Sequence, residues 1–286
     1  MESNRKNITF GLSPCPNDTF AFYGLIHGKV ETEFGINATF MDVQALNEGV
    51  LAGRLEMSKI SYHLLGYVQD DYFLLESGSA LGWGCGPLLV ARKDISVNEL
   101  RRCRIAIPGI YTTAALLFRL YCPEATRFIP MLFSDIPMAV VQGKADAGVI
   151  IHETRFVYER LNLVCLQDLG NWWEQETGLP IPLGGIVAKR NLGAKQVQRL
   201  DEAVAASVDY AYSHKDEVMA FVKRHAQETE DDVIEEHIKL YVNPFTKRLG
   251  KEGLAAVEHL LQVGRAKGIL PAKKGDYPPL TAWQRH

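Results

Sequence analysis

Two segments far apart in the chain, Pro87–Arg92 (Pro-Leu-Leu-Val-Ala-Arg) and Gly184–Arg190 (Gly-Gly-Ile-Val-Ala-Lys-Arg), read alike. Each is an apolar run that ends in basic residues and leads into a helix start, as expected of a strand buried on both faces. A chain that visits two lobes needs two such strands, one to cross over and one to return. The sequence around them alternates strand and helix signals, which defines an α/β protein. Strands are expected at Ile8–Ser13, Asn37–Val43 and Met57–Tyr62, with helices over Asn17–His27 and Gln44–Ala52 between them. After the first crossover the pattern repeats: strand Arg104–Pro108, helix Thr112–Tyr121, strand Arg127–Leu132, helix Ser134–Gly143, then a strand ending at Ile151 with a helix-compatible run from Thr154 to Leu161, and a short strand at Leu163–Leu166.

From Asn191 onward the chain reads as almost wholly helical, over Ala194–Ser213, Asp216–Ala226, Asp231–Tyr241 and Gly250–Lys267, before a Pro-rich tail. This order describes a two-lobed type II periplasmic-binding-protein-like fold with a central ligand cleft. The larger lobe is expected to be discontinuous, residues 1–92 and 185–286, with the smaller lobe, residues 93–184, inserted; closure would run through the paired strands.

Composition narrows the function classes. A chain of 286 residues with 47% hydrophobic and 23% charged residues can bury a large core, and its net charge of −3 offers no general attraction to nucleic acid or anionic lipid. No apolar run approaches the ~20 residues that span a bilayer, and the first residues lack an apolar leader, so a cytoplasmic protein with a small-molecule partner is expected. The five cysteines are odd in number and scattered, which argues against a disulfide framework or a CxxC-type zinc site.

Several residues cluster where strands should end. His152 follows the buried run Ala147–Ile151, and in open α/β sheets ligands collect at the carboxyl ends of strands. Imidazole titrates nearest neutrality, so His152 is a candidate general base; the alternative is a hydrogen-bonded packing residue. In Ser13–Phe20 two prolines stiffen the turn between strand and helix, and Asn17 or Asp18 can cap that helix, leaving backbone N–H groups aimed at the crevice. Both are candidate ligand contacts, and Cys15 is the thiol best placed for exposure. Lys59, Ile60 and Ser61 end the third strand, where an ammonium, a hydroxyl and adjacent N–H groups can meet an anion. His63, just beyond, reads as packing or capping. Thr112 and Thr113 open a helix and form either a carboxylate pocket or a plain cap.

Trp172 and Trp173 read as core anchors, one ring being able to wall a planar ligand, before a Pro- and Gly-studded loop over Glu174–Gly185. The histidines of the C-terminal helices, His214, His225, His237 and His259, carry no assigned role. No second histidine turns His152-Glu153 into a zinc-protease helix, and no Gly-x-Ser-x-Gly elbow occurs, so metal and acyl-serine mechanisms are disfavoured.

Five segments in order, SPCPNDTF from Ser13, KISY from Lys59, PGIYTT from Pro108, AGVIIHETRF from Ala147 and GLPIPLGG from Gly178, resemble the 1,4-dihydroxy-6-naphthoate synthase family of the futalosine route to menaquinone. The resemblance extends over nearly the whole chain. It implies a carbon–carbon lyase that converts cyclic dehypoxanthinyl futalosine to 1,4-dihydroxy-6-naphthoate without metal or organic cofactor. Within it His152 is the general base, Lys59, Ile60 and Ser61 are one substrate-contact segment, and Thr112 and Thr113 are the other. The related chorismate dehydratase, and a small-anion binding protein or sensor without catalysis, stay open as alternatives. The oligomeric state, the pocket that holds the substrate carboxylate, and any role for the tail after Gly275 are left open.

Overall fold

The computed structural model describes residues 6–226, 230–272 and 280–282 of the chain. Most of the tail beyond Gly275 lies outside these residues. Strands β1 (Asn7–Leu12), β2 (Gly35–Phe40), β3 (Met57–Ser61), β4 (Tyr72–Leu74) and β5 (Ala80–Gly82) come first, and β6 (Leu88–Ala91) then enters a second sheet. That sheet is completed by β7 (Ile105–Ile107), β8 (Phe128–Pro130), β9 (Ala147–Ile150) and β10 (Val164–Asp168), after which β11 (Ile181–Lys189) returns to the first.

The two sheets share one plan. In the first, β1 runs parallel to β2 and β3, and β11 lies antiparallel beside β3. In the second, β7 runs parallel to β8 and β9, and β6 lies antiparallel beside β9. The two look-alike segments are therefore equivalent fourth strands, each supplied by the other half of the chain. Both must be apolar on both faces, since β6 is buried throughout and β11 nearly so.

This corrects the expected lobe boundaries. β6 lies wholly in the second sheet and β11 wholly in the first, so neither strand crosses between lobes. The chain crosses at residues 83–87 and 178–180, earlier in both cases than the expected 92 and 185.

Local chemistry sets most element ends. Asp42 caps the helix Val43–Leu51 by accepting from the Gln44 and Ala45 amides at 3.0 and 3.3 Å. Asp168 does the same for Leu169–Thr177, which ends at left-handed Gly178. That helix occupies part of the segment expected as a loop, because Trp173 is anchored in the core while Gln175 and Glu176 are exposed. The expected helix over 17–27 is divided at Phe22 into Pro16–Ala21 and Tyr23–Ile26. The run from Thr154 to Leu161 forms two 3-10 turns, His152–Phe156 and Tyr158–Leu161, instead of an α-helix. β4 and β5, three residues each, carry too short a pattern to be read from sequence.

The long helix Ala194–Ser213 buries Val197, Leu200, Val204 and Val208, the spacing of one helical face, and packs against the short helices Pro16–Ala21 and Tyr23–Ile26. A second apolar cluster is continuous across both sheets, joining Ile60, Tyr62 and Leu64 to Leu89, Leu116 and Trp173. Among the described residues no helix is long and apolar enough to cross a membrane.

The first crossing is held by glycine backbones in contact. A Cβ on Gly86 would lie 2.2 Å from the Gly170 Cα, and one on Gly170 would lie 2.6 Å from the Gly86 Cα, so neither position admits a side chain. Gly86→Ala is expected to lower unfolding stability by about 1–3 kcal/mol through forced backbone displacement. Chemical denaturation checks this, and an unchanged midpoint would show that the crossing tolerates separation.

Candidate active site

Four loops leave the carboxyl ends of the parallel strands β1, β3, β7 and β9 and meet between the sheets. They enclose a cavity of about 90 Å³ whose wall includes Asn17, Asp18, Lys59, Ile60, Ser61, Thr112, Thr113 and His152. All eight residues singled out in the sequence are thus brought to one place. Tyr241, Cys85, Leu183 and Gly184 complete the wall together with residues the sequence did not mark.

The first loop does not use its polar side chains as expected. Cys15, followed by Pro16, occupies the N-cap position of helix Pro16–Ala21, and neither Asn17 nor Asp18 caps it. Asp18 instead accepts from the Ser13 amide at 3.3 Å and forms an ion pair with Lys59 Nζ at 3.1 Å. Cys15 is buried, not exposed; desolvation, with the Glu153 carboxylate nearby, holds its thiol well above the usual range and therefore protonated.

Lys59 points inward because every residue of β3 is buried. Its ammonium carries three N–H donors; one meets Asp18, and another donates to the Gly78 carbonyl at 3.1 Å. The third is available to a ligand in the cavity. Ser61 is fixed from behind by Asn47, whose amide nitrogen donates to the Ser61 hydroxyl at 3.1 Å and whose carbonyl accepts from the Ser61 amide at 3.0 Å.

The threonine turn opens the nine-residue helix Thr113–Tyr121 and its hydroxyls are committed within the protein. The Thr112 hydroxyl donates to Gly109 O at 2.7 Å and accepts from the Ala115 amide, making it the cap. The Thr113 hydroxyl donates to Leu183 O at 2.6 Å and accepts from the His63 amide at 3.2 Å. His63 Nδ1 lies 3.1 Å from Thr112 O, so this histidine is indeed a packing residue, clamping the two lobes together. Burial pulls its pKa down to about 4.

His152 stands two residues beyond the end of β9 with φ of 58°, a left-handed backbone that non-glycine residues rarely adopt. Such a conformation costs about 1–3 kcal/mol and persists only where surrounding contacts hold it. Phe133 packs edge-on against the imidazole, with ring centroids 4.8 Å apart, and the Thr154 hydroxyl donates to Ile151 O at 2.5 Å across the turn. On the far side the His237 ring lies nearly parallel to it at 6.2 Å. Desolvation, reinforced by the positive charge of Lys59, lowers the His152 pKa to about 4. At neutral pH the imidazole is uncharged, as an acceptor of protons requires.

Two site residues were not legible in the sequence. Glu153 is buried directly behind His152, and His237 reaches it from helix Asp231–Tyr241. Cys15, His152 and Glu153 bring three potential ligand atoms within 4.8 Å of one another, a grouping that their spacing along the chain conceals.

The native state holds protons on His152 and His63 more weakly than the unfolded chain, where histidine titrates near 6.5. Their contribution to stability is complete above that value and declines as pH falls towards about 4. Thermal unfolding between these limits should show the decline. His152→Asn should make it shallower, with the His63 contribution remaining, since asparagine tolerates the left-handed backbone and does not titrate. An equally steep decline in the variant would remove His152 from the effect.

A family model described as menaquinone biosynthesis matches residues 8–266. The 1,4-dihydroxy-6-naphthoate synthase of Thermus thermophilus is 46% identical over 264 residues, covering 92% of this chain and 95% of that protein. That of Streptomyces coelicolor is 45% identical over 274 residues, covering 94% and 96%. Among solved structures, a protein from Archaeoglobus fulgidus superposes with a TM-score of 0.88 at 32% identity, covering 93% of this chain and all of that one (100%). An alkanesulfonate-binding protein from Xanthomonas axonopodis pv. citri, bound to MOPS, superposes at 0.69 with 13% identity, covering 95% and 96%, a likeness of fold alone. The fold is therefore the two-lobed binding-protein type, and the chain belongs to the menaquinone biosynthesis family.

Proposed function

We propose that the protein is a 1,4-dihydroxy-6-naphthoate synthase, a lyase acting on cyclic dehypoxanthinyl futalosine with His152 as general base. The observation that carries this is the placement of an uncharged imidazole, in a strained turn, at a cavity that also holds Lys59 and the threonine turn. Loss of the sugar-derived fragment begins with removal of a carbon-bound proton. A base that is free of its own proton at neutral pH and fixed over the substrate typically contributes about 10²–10⁴-fold to such a step.

The remaining wall residues supply orientation. The third N–H of Lys59 and the start of helix Thr113–Tyr121 both face the cavity and favour a carboxylate there. Ile60, Ala114 and Leu183 give apolar surface for a fused ring system. Water is excluded because the wall is formed from both lobes, which strengthens each directed polar contact.

The cavity of about 90 Å³ is smaller than the ~300–1,000 Å³ common for small-molecule pockets, so a two-ring substrate enters only when the lobes separate. Residues 83–87 and 178–180 are the segments about which they would turn. The Tyr111 amide, 3.4 Å from Gln44 Oε1, the Thr113–Leu183 contact and the His63 bonds to the threonine turn are among the bonds that open.

Incubation with cyclic dehypoxanthinyl futalosine, followed by mass spectrometry, should yield 1,4-dihydroxy-6-naphthoate; turnover of chorismate in its place, or tight binding without product, would overturn the assignment. His152→Ala is expected to lower kcat by about 10²-fold or more with a native circular dichroism spectrum, because it removes a base and leaves the lobes intact. Activity within a few-fold of wild type would remove His152 from that role.

Lys59→Gln should raise KM by about tenfold or more, since a charge-assisted hydrogen bond to a carboxylate contributes roughly 1.5–3 kcal/mol. An unchanged KM would place the carboxylate at the threonine turn.

A further inference from the structure

We propose that His237 is a positioning residue for the reaction, holding the His152–Glu153 turn from the C-terminal helices through one defined tautomer. This deepens the assignment of His152 as base and rests on it.

His237 is fully buried on helix Asp231–Tyr241, and its Nε2 lies 2.9 Å from Asn17 Oδ1. The direction of that hydrogen bond is set by the next link. The Asn17 amide nitrogen donates to Asp18 Oδ1 at 2.8 Å, and Asp18 in turn pairs with Lys59. An ionised carboxylate only accepts, so the amide NH₂ of Asn17 must face Asp18 and its carbonyl must face His237. The proton of a neutral His237 is therefore on Nε2. Nδ1 is left as a lone pair 3.9 Å from Glu153 Oε2, with no hydrogen-bond partner of its own among the described residues.

The parallel His237 ring also backs His152, the residue whose backbone is strained. One buried polar chain thus runs from Lys59 through Asp18 and Asn17 to His237, and ends at the residue adjoining the base. The links from Lys59 to His237 Nε2 are each made, and a chain of this kind fixes one arrangement of the ring and loses it when one link is removed. Replacing His237 by an apolar ring leaves the Asn17 carbonyl buried without its donor and frees the turn. Misplacement of a catalytic group by about 1 Å can cost about 10²-fold in rate.

The test compares His237→Phe with His237→Gln, whose amide nitrogen replaces Nε2 as donor to Asn17, and measures His152→Ala alongside. Expected is a fall of about tenfold or more in kcat for His237→Phe with KM within about threefold, and recovery by His237→Gln to within about threefold of wild type. A purely packing role predicts instead that the two variants lose activity in proportion to their loss in Tm, with no rescue by glutamine. Equal activity of Phe and Gln variants, or wild-type kcat in both, overturns the inference.

Nitrogen NMR of histidine-labelled wild-type protein covers the case in which His237→Phe fails to fold. It should show one Nε2–H tautomer with unprotonated Nδ1 that is lost in His237→Gln; the opposite tautomer overturns the inference. If His152→Ala retains activity, the base assignment itself fails. If His152→Ala is inactive while His237→Phe is fully active, only the role of His237 fails.

Discussion

Each half of the chain completes the sheet of the other, and the position of the site follows from that exchange. Parallel strands joined by helices bring their carboxyl ends to one edge of a sheet. The borrowed fourth strand runs the opposite way, so its beginning lies at that same edge: Leu88 is paired with Ile150, and Gly184 with Ser61. The segments that cross between lobes therefore arrive where the ligand loops are. Gly184 shows how closely they pass, since a Cβ there would lie 2.6 Å from Ile60 O. Cleft, crossing and candidate base coincide because strand direction leaves them no other arrangement.

That geometry buries polar groups that must then be partnered. Lys59 and Asp18 sit almost without solvent, and removing one member of such a pair typically costs about 3–5 kcal/mol because the other is left charged and unpaired. The solution is a set of reciprocal bonds: Asn47 on Ser61, Ser13 on Asp18, His63 on the threonine turn. The hydroxyls of Thr112 and Thr113, which the sequence left open between a carboxylate pocket and a helix cap, are spent on closing the helix start and joining the lobes. What faces a ligand is fewer groups, held more firmly.

The alternation of strands and helices, the four loop segments and His152 were legible because each is a local pattern: an apolar run, a capping residue, a turn with prolines. The long amphipathic helices were legible for the same reason, with Ala194–Ser213 and Asp231–Tyr241 falling where their periodicity puts them. Lobe boundaries were misplaced because sequence likeness identified β6 and β11 as a pair without showing that each belongs to the sheet it completes. His237 was passed over because its neighbours in sequence are those of an ordinary amphipathic helix. Its function comes from Asn17 and Glu153, contacts that only the return of the C-terminal helices to the first loop creates. The left-handed backbone at His152 has no glycine or turn signature to announce it, so strain was invisible until the chain was folded.

The site presents no excess positive charge. Lys59 is neutralised by Asp18, and His152 and His63 are uncharged at neutral pH. With a net charge of −3 on the whole chain, no strong positive field draws anions to the cleft. Selection among carboxylates must come from the direction of a few fixed donors and from the apolar wall, and a ligand lacking the matching geometry leaves those donors unsatisfied when the lobes close. On the proposed reading, a site built this way would hold the substrate's carboxylate by position more than by net charge.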